Sequence, residues 1–216
     1  MSEPSSPSSS PKWRRRADAR PAEIVQAAYE VFSEKGFAAA RLDEIARRAG
    51  VSKGALYLYF ETKQDIFEAV VKDAVAPNIS QIEAFALNFP GSFEQLIRMM
   101  IPRVAELATQ SGMGKVIKMV IAESGNFPEI ARVWHDDIVG KGLGLLTNVI
   151  ARAQERGEIR PGDPREYTLS IVGPLLAAVI FRETFVPAGA KPFDIPHLMQ
   201  QHLDTVLPGL LLSSRT

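Results

Sequence analysis

Between Arg41 and Lys63 the chain gathers side chains that can meet a phosphate backbone and the base edges beside it. Lys53 follows Ser52 at the start of a short segment, so an ammonium group and a cluster of unpaired backbone N–H groups can face one anion together. Gly54 and Ala55 both permit close approach of a backbone, and the Ala55 methyl can meet the methyl group of thymine. Tyr57 and Tyr59 carry hydroxyls that can reach phosphates, and Leu58 offers contact without hydrogen bonding. Arg41 and Lys63 flank the set with one cation on either side. Catalytic chemistry is poorly provided for. His135, His197 and His202 avoid the three- or four-residue spacing that shares a helix face, and there is no cysteine. No Gly-x-Ser-x-Gly elbow, Walker loop or zincin motif occurs, and Gly140-Lys141-Gly142-Leu143-Gly144 lacks the preceding strand of a phosphate loop. The expectation is a non-enzymatic protein with no metal and no cofactor.

A segment that presents residues 53–59 to a groove has to be braced by a second helix. Two short helices meeting steeply around a tight turn need a small residue at their crossing, a glycine in the turn and an apolar anchor on the inner face of the second helix. Ala46, Gly50 and Leu56 supply these in order. Rotation of 100° per residue from Leu56 turns Gly54, Ala55, Tyr57 and Leu58 outward and brings Tyr59 and Phe60 toward the inside. Ser52 is the expected N-cap of this helix, which should run to about Tyr59. Ahead of it, Ile24, Ala27, Ala28, Val31 and Phe32 recur at helical spacing up to Gly36, and Leu42, Ile45, Ala46 and Ala49 form a short helix ending at Gly50. A fourth, amphipathic helix begins near Thr62 and should end before Pro77.

Ile-x-x-Ala-Ala at 24–28, Phe32, Gly36-Phe37, then Ile45-Ala-x-x-Ala-Gly-Val-Ser-Lys-Gly-Ala-Leu-Tyr-Leu-Tyr-Phe60, with Lys63 and Phe67, resembles the tetracycline-repressor-like (TetR/AcrR) family of bacterial transcriptional regulators. The resemblance implies a homodimer that binds a palindromic double-stranded DNA operator and releases it when a small molecule enters a C-terminal helical bundle. Repression is the family's usual role. It also implies a cap residue at 40 or 41, where the family usually places Thr or Ser; Ala40 and Arg41 stand there instead. That weakens capping by ~1 kcal/mol, while Arg41 can supply a phosphate contact. Lys12-Trp13-Arg14-Arg15-Arg16 resembles the N-terminal arm that some members lay along the minor groove; a solvated tail is the other reading.

The whole chain, 216 residues with 46% apolar and 23% charged types, has the composition of a folded protein with one substantial core or a small domain joined to a larger one. Its zero net charge conceals a basic front: residues 1–60 hold ten Lys/Arg against seven Asp/Glu. The expected fold is all-α, with an N-terminal three-helix DNA-binding domain followed by a larger helical bundle. The expected boundaries are a disordered Ser/Pro-rich and basic tail over 1–19, the helix-turn-helix domain over 20–66, and a ligand-binding and dimerisation domain over 67–216. In the bundle, Phe93 to Thr109 is periodic, Lys115 to Glu123 is apolar on nearly every side and should be buried, and Pro128 to Arg156 reads as one long helix containing three glycines. Phe85, Phe89, Met99, Met100, Met113, Met119, Phe127 and Trp134 are the adaptable apolar residues there; Phe85, Met99, Met119 and Trp134, with polar Glu123 and Arg182, are the candidate contacts for a hydrophobic effector. Gly173, Ala177, Ile180, Leu203, Val206 and Leu210 on the last two helices are candidates for the dimer interface. Leu169 to Phe181 is too short to span a bilayer and no export signal opens the chain, so no membrane association and a cytoplasmic location are expected. The competing reading is a helical protein-interaction module without sequence-specific DNA binding. Salt-dependent, sequence-selective DNA binding separates the two.

Overall fold

The computed structural model describes residues 12–110 and 112–212 and, over 12–19 and 74–81, the backbone alone. Among the described residues the chain is helical without β-strands, apart from one isolated bridge between Ile159 and Leu211. It divides into two compact units between Val70 and Val71.

In the first unit, α1 (Lys12–Ala39) already begins at Lys12, so the backbone of 12–19 is helical where a tail reaching residue 19 was expected; residues 1–11 lie outside the described residues. Gly36, at φ 78°, interrupts α1 as the glycine signal suggested, because a left-handed residue cannot continue a right-handed helix. Ile24, Ala28 and Val31 are fully buried. Phe32, Phe37 and Phe67 form a triangle with ring centroids 5.5, 6.0 and 5.7 Å apart, two of its three pairs edge-on. Each such ring is worth ~2 kcal/mol of burial before the aromatic geometry adds to it. On the surface, Arg48 forks onto Glu34 at 2.7 and 2.5 Å and reaches Glu44 at 3.1 Å, while Lys35 meets Glu44 at 2.6 Å. This charged lattice ties α1 to α2 (Leu42–Arg48).

α4 (Lys63–Leu87) contributes its first turns to this unit and continues through Pro77 to Leu87, where a stop before Pro77 was expected. A proline removes one hydrogen bond and bends a helix; long helical flanks on both sides can absorb that.

The second unit is a helical bundle. Its core is built from the inward faces of α5 (Phe93–Gln110), α8 (Gly140–Glu155), α9 (Pro164–Phe185) and α10 (Ile195–Leu210), centred on Ile97, Ala105, Ile150, Ile171, Met199 and Leu207. The Glu158 carboxylate, 65 residues downstream, accepts the Phe93 N–H at 2.5 Å and so caps α5. Burial disfavours its charge, but the Arg156 guanidinium and the Phe93 N–H outweigh this and hold the carboxyl below its usual range. α6 (Met113–Glu123) is only half buried: Val116, Met119 and Val120 face in, whereas Ile121 is 56% exposed, so its all-round apolarity does not mean all-round burial. Residues 128–155 are helical throughout, as α7 (Pro128–Trp134), a π turn (His135–Val139) and α8. α9 is long and apolar enough to cross a bilayer, contrary to the estimate from Leu169–Phe181 alone. Thr168, Ile171, Leu175, Ala178 and Val179 on it are buried within the bundle, while Leu169, Leu176 and Phe185 remain exposed.

Candidate nucleic-acid interface and effector cavity

The helix-turn-helix assembles from local rules. Ile45, Ala46 and Leu56 are at most 2% exposed and lock α2 against α3 (Lys53–Tyr57). α2 closes with the Val51 N–H on the Ala46 carbonyl at 2.9 Å and the Gly50 N–H on Arg47 at 3.2 Å. Gly50 stands at φ +65° with open space around it, so the backbone conformation, not crowding, demands glycine. Ser52 caps α3: its Oγ accepts the Ala55 N–H at 3.1 Å.

α3 ends at Tyr57, so Tyr59 leaves the helical register and is 40% exposed rather than turned inward; Tyr57 is 45% and Leu58 83% exposed. Gly54 is exposed too, with nothing nearer to a would-be Cβ than Ser52 Oγ at 4.0 Å. An aromatic and aliphatic ridge of this kind, next to a nearly bare helix start, fits a groove of stacked bases better than bulk water.

The cations are deployed less simply than their positions imply. Lys53 is exposed, but its Nζ lies 2.8 Å from Asp43 Oδ1; the hydrogen bond lowers the Asp43 pKa and raises that of Lys53. A phosphate at this site would exchange with Asp43. Arg41, exposed at the N-cap of α2, makes no side-chain cap hydrogen bond. Lys63 is engaged within the protein itself. Its Nζ donates to the carbonyls of Phe37 (2.7 Å), Ala38 (3.1 Å) and Ala40 (3.3 Å) and lies 4.5 Å from the centre of the Phe37 ring. The ammonium closes the C-terminal end of α1, as a cation there should.

In the second unit a cavity of about 420 Å³ opens among α5, α6, α7, α8 and α9, with Ile82 of α4 at its edge. Ile97, Ile101, Val120, Ile138, Leu146, Val149 and Val179 line it, together with Trp134, Met100 and Met113 from among the residues anticipated for an effector. Phe85 and Met99 lie instead in a neighbouring outer groove beside Arg103 and are about half exposed. One residue of rotation separates Met99 from Met100, which faces the cavity. Met119 is buried away from the cavity lining, and Glu123 is absent from that lining. Arg182 is occupied by Glu183 Oε1 at 2.7 Å and the Thr109 carbonyl at 3.1 Å. The aliphatic lining escaped sequence reading because its residue types are those of any core. Gly142, one of the glycines noted in the long helix, does reach the cavity.

The dimer candidates also separate. Leu203 and Leu210 are buried in the protomer's own core, leaving no area for a partner, and Gly173 lines the cavity. Ala177 is exposed, and Ile180 and Val206 are half-buried.

Comparison with known proteins covers both units. The sequence pattern of "Bacterial regulatory proteins, tetR family" matches residues 24–70, and that of "Tetracyclin repressor-like, C-terminal domain" matches residues 90–190. The chain is 26% identical over 189 residues to the fatty acid metabolism regulator protein of Bacillus subtilis (strain 168), spanning 87% of this chain and 94% of that protein. It is 27% identical over 207 residues to the HTH-type transcriptional repressor BepR of Brucella suis biovar 1 (strain 1330), spanning 91% and 96%. The crystal structure of the regulator FadR from Bacillus subtilis in complex with stearoyl-CoA superposes with a TM-score of 0.71 at 24% identity, over 87% of this chain and 98% of that one.

Proposed function

The chain belongs to the tetR family of bacterial regulatory proteins, and we propose that it is a repressor that binds a palindromic DNA operator as a homodimer in the cytoplasm and releases it when a small hydrophobic effector enters the cavity of the second unit. The observation that carries the DNA-binding part is the ridge at Tyr57, Leu58 and Tyr59, exposed on a helix whose opposite side, at Leu56, is fully buried. A helix so anchored presents its outer face as a rigid reader. Arg41 and Lys53 supply phosphate contacts beside it, while Lys63 supports the head from behind. The apolar cavity carries the effector part. Effector binding would bias α4, whose residue Ile82 borders the cavity and whose first turns carry Phe67 of the aromatic triangle. Ala177, Ile180 and Val206 are the remaining candidates for the contact between protomers.

Selection of fragmented genomic DNA followed by footprinting tests the reading. One protected, roughly palindromic site, lost on Tyr57→Ala and weakened as salt rises, is the expected result. Retention of all fragments alike, or of none at low salt, overturns it.

A further inference from the structure

We propose that the effector carries no ionised group into the cavity: the part buried there is uncharged, and compounds whose skeleton would bring a charge inside are excluded. This rests on the effector reading of the cavity and narrows it to a chemical class.

Every one of the 25 described residues that line the cavity is aliphatic, Met, Trp or Gly. A carboxylate, phosphate or ammonium entering it would leave water for a surface that returns no ion pair and almost no hydrogen bonds, a transfer that charged groups avoid by neutralising or staying outside. Three cations on the walling helices are committed elsewhere. Arg103 pairs with Glu106 at 2.5 Å, Lys118 donates to the Glu183 carbonyl at 2.8 Å, and Arg182 is held by Glu183 and Thr109. Recruiting any of them would break an existing contact as well as desolvate the ligand. Trp134 sets one wall and is itself a spectroscopic reporter.

A matched pair of probes tests this on the full chain: N-phenyl-1-naphthylamine, which is neutral, and 8-anilinonaphthalene-1-sulfonate, the same skeleton with a permanent negative charge. With Trp13→Phe leaving Trp134 as the remaining tryptophan, quenching of its emission locates the bound probe. The neutral probe is expected to bind once per protomer and quench Trp134, and the sulfonate at least ~100-fold more weakly. Decan-1-ol should displace the neutral probe equally well at all pH values. Decanoate should lose about tenfold in potency for each pH unit above its carboxyl pKa, because only the acid form enters. Sulfonate binding within tenfold of the neutral probe, or decanoate potency that ignores pH, overturns the proposal while leaving the cavity an effector site. Failure of every probe to quench Trp134 overturns the effector reading as well, whatever the DNA does. Gly142→Leu, which fills open space at the lining and improves a helix interior, is expected to weaken the neutral probe at least tenfold; unchanged affinity overturns the placement.

Discussion

Lys63→Met separates two roles for one lysine. If the ammonium is a structural closure for α1, its removal strands three carbonyls, those of Phe37, Ala38 and Ala40, at 2.7, 3.1 and 3.3 Å from Nζ. A hydrogen bond from a charged donor is worth roughly 1.5–3 kcal/mol when fully enclosed. Two of the carbonyl contacts here are part-buried and water can replace the third, so the total comes to about 2 kcal/mol. For a head of this size each kcal/mol moves the melting temperature by about 4–8 °C, which predicts a loss of roughly 10 °C or more, together with faster amide exchange at the end of α1. Operator affinity measured across salt concentrations supplies the second readout. The slope of log K against log salt should stay that of the parent, because no phosphate contact is removed. A variant with unchanged thermal stability and a slope smaller by about one unit would refute the capping argument and restore the lysine to the DNA backbone.

Three further expectations concern the same head. Ser52→Ala removes the Oγ acceptor of the Ala55 N–H and should cost ~1 kcal/mol of stability, visible as a shifted urea midpoint, with operator binding weakened about fivefold and the salt slope unchanged. Leu58→Ala, at an 83% exposed position, should leave stability within ~0.5 kcal/mol yet reduce discrimination between operator and random DNA, measured by competition. The pKa values of Asp43 and Glu44 are lowered, each chiefly by a hydrogen bond, from Lys53 and Lys35 respectively. Their contribution to stability is therefore fully present above the ordinary carboxylate range near pH 4 and lost as pH falls through the lowered values. Stability should be flat from neutral pH down to about 5 and fall below it, and Asp43→Asn should flatten that acid limb in a chemical-shift titration of the head.

The helix-turn-helix was legible because its determinants are close in the chain. Ala46, Gly50 and Leu56 act within eleven positions, and Gly36 and Ser52 announce a helix end and a helix start by their own backbone and side-chain chemistry. Lys63 was not legible, since its acceptors lie 23 to 26 residues upstream and are carbonyls, which every residue possesses. Most of the cavity lining was missed for a different reason, Trp134, Met100 and Met113 being the exceptions. Met99 and Phe85 have the adaptable side chains of a binding site, but helix rotation, decided by how α5 packs on α10 and its other neighbours, turned them outward and brought Met100 and Ile97 in. Arg182 looked like a polar ligand contact until its partner Glu183, one residue away, was seen to occupy it. Pattern alone locates an apolar stripe; the space it encloses depends on several stripes at once.

Gly142 and Gly173 both line the cavity, and neither has an atom within 4 Å of where a Cβ would stand. Each is one nucleotide change from alanine and one from valine, and each sits in a helix that would be steadied by the replacement. The repertoire of compounds that this regulator detects can therefore be trimmed in small volume steps by mutations that leave the scaffold intact. Specificity for a new inducer can arise by drift at two codons while the DNA-reading head goes on recognising the same operator.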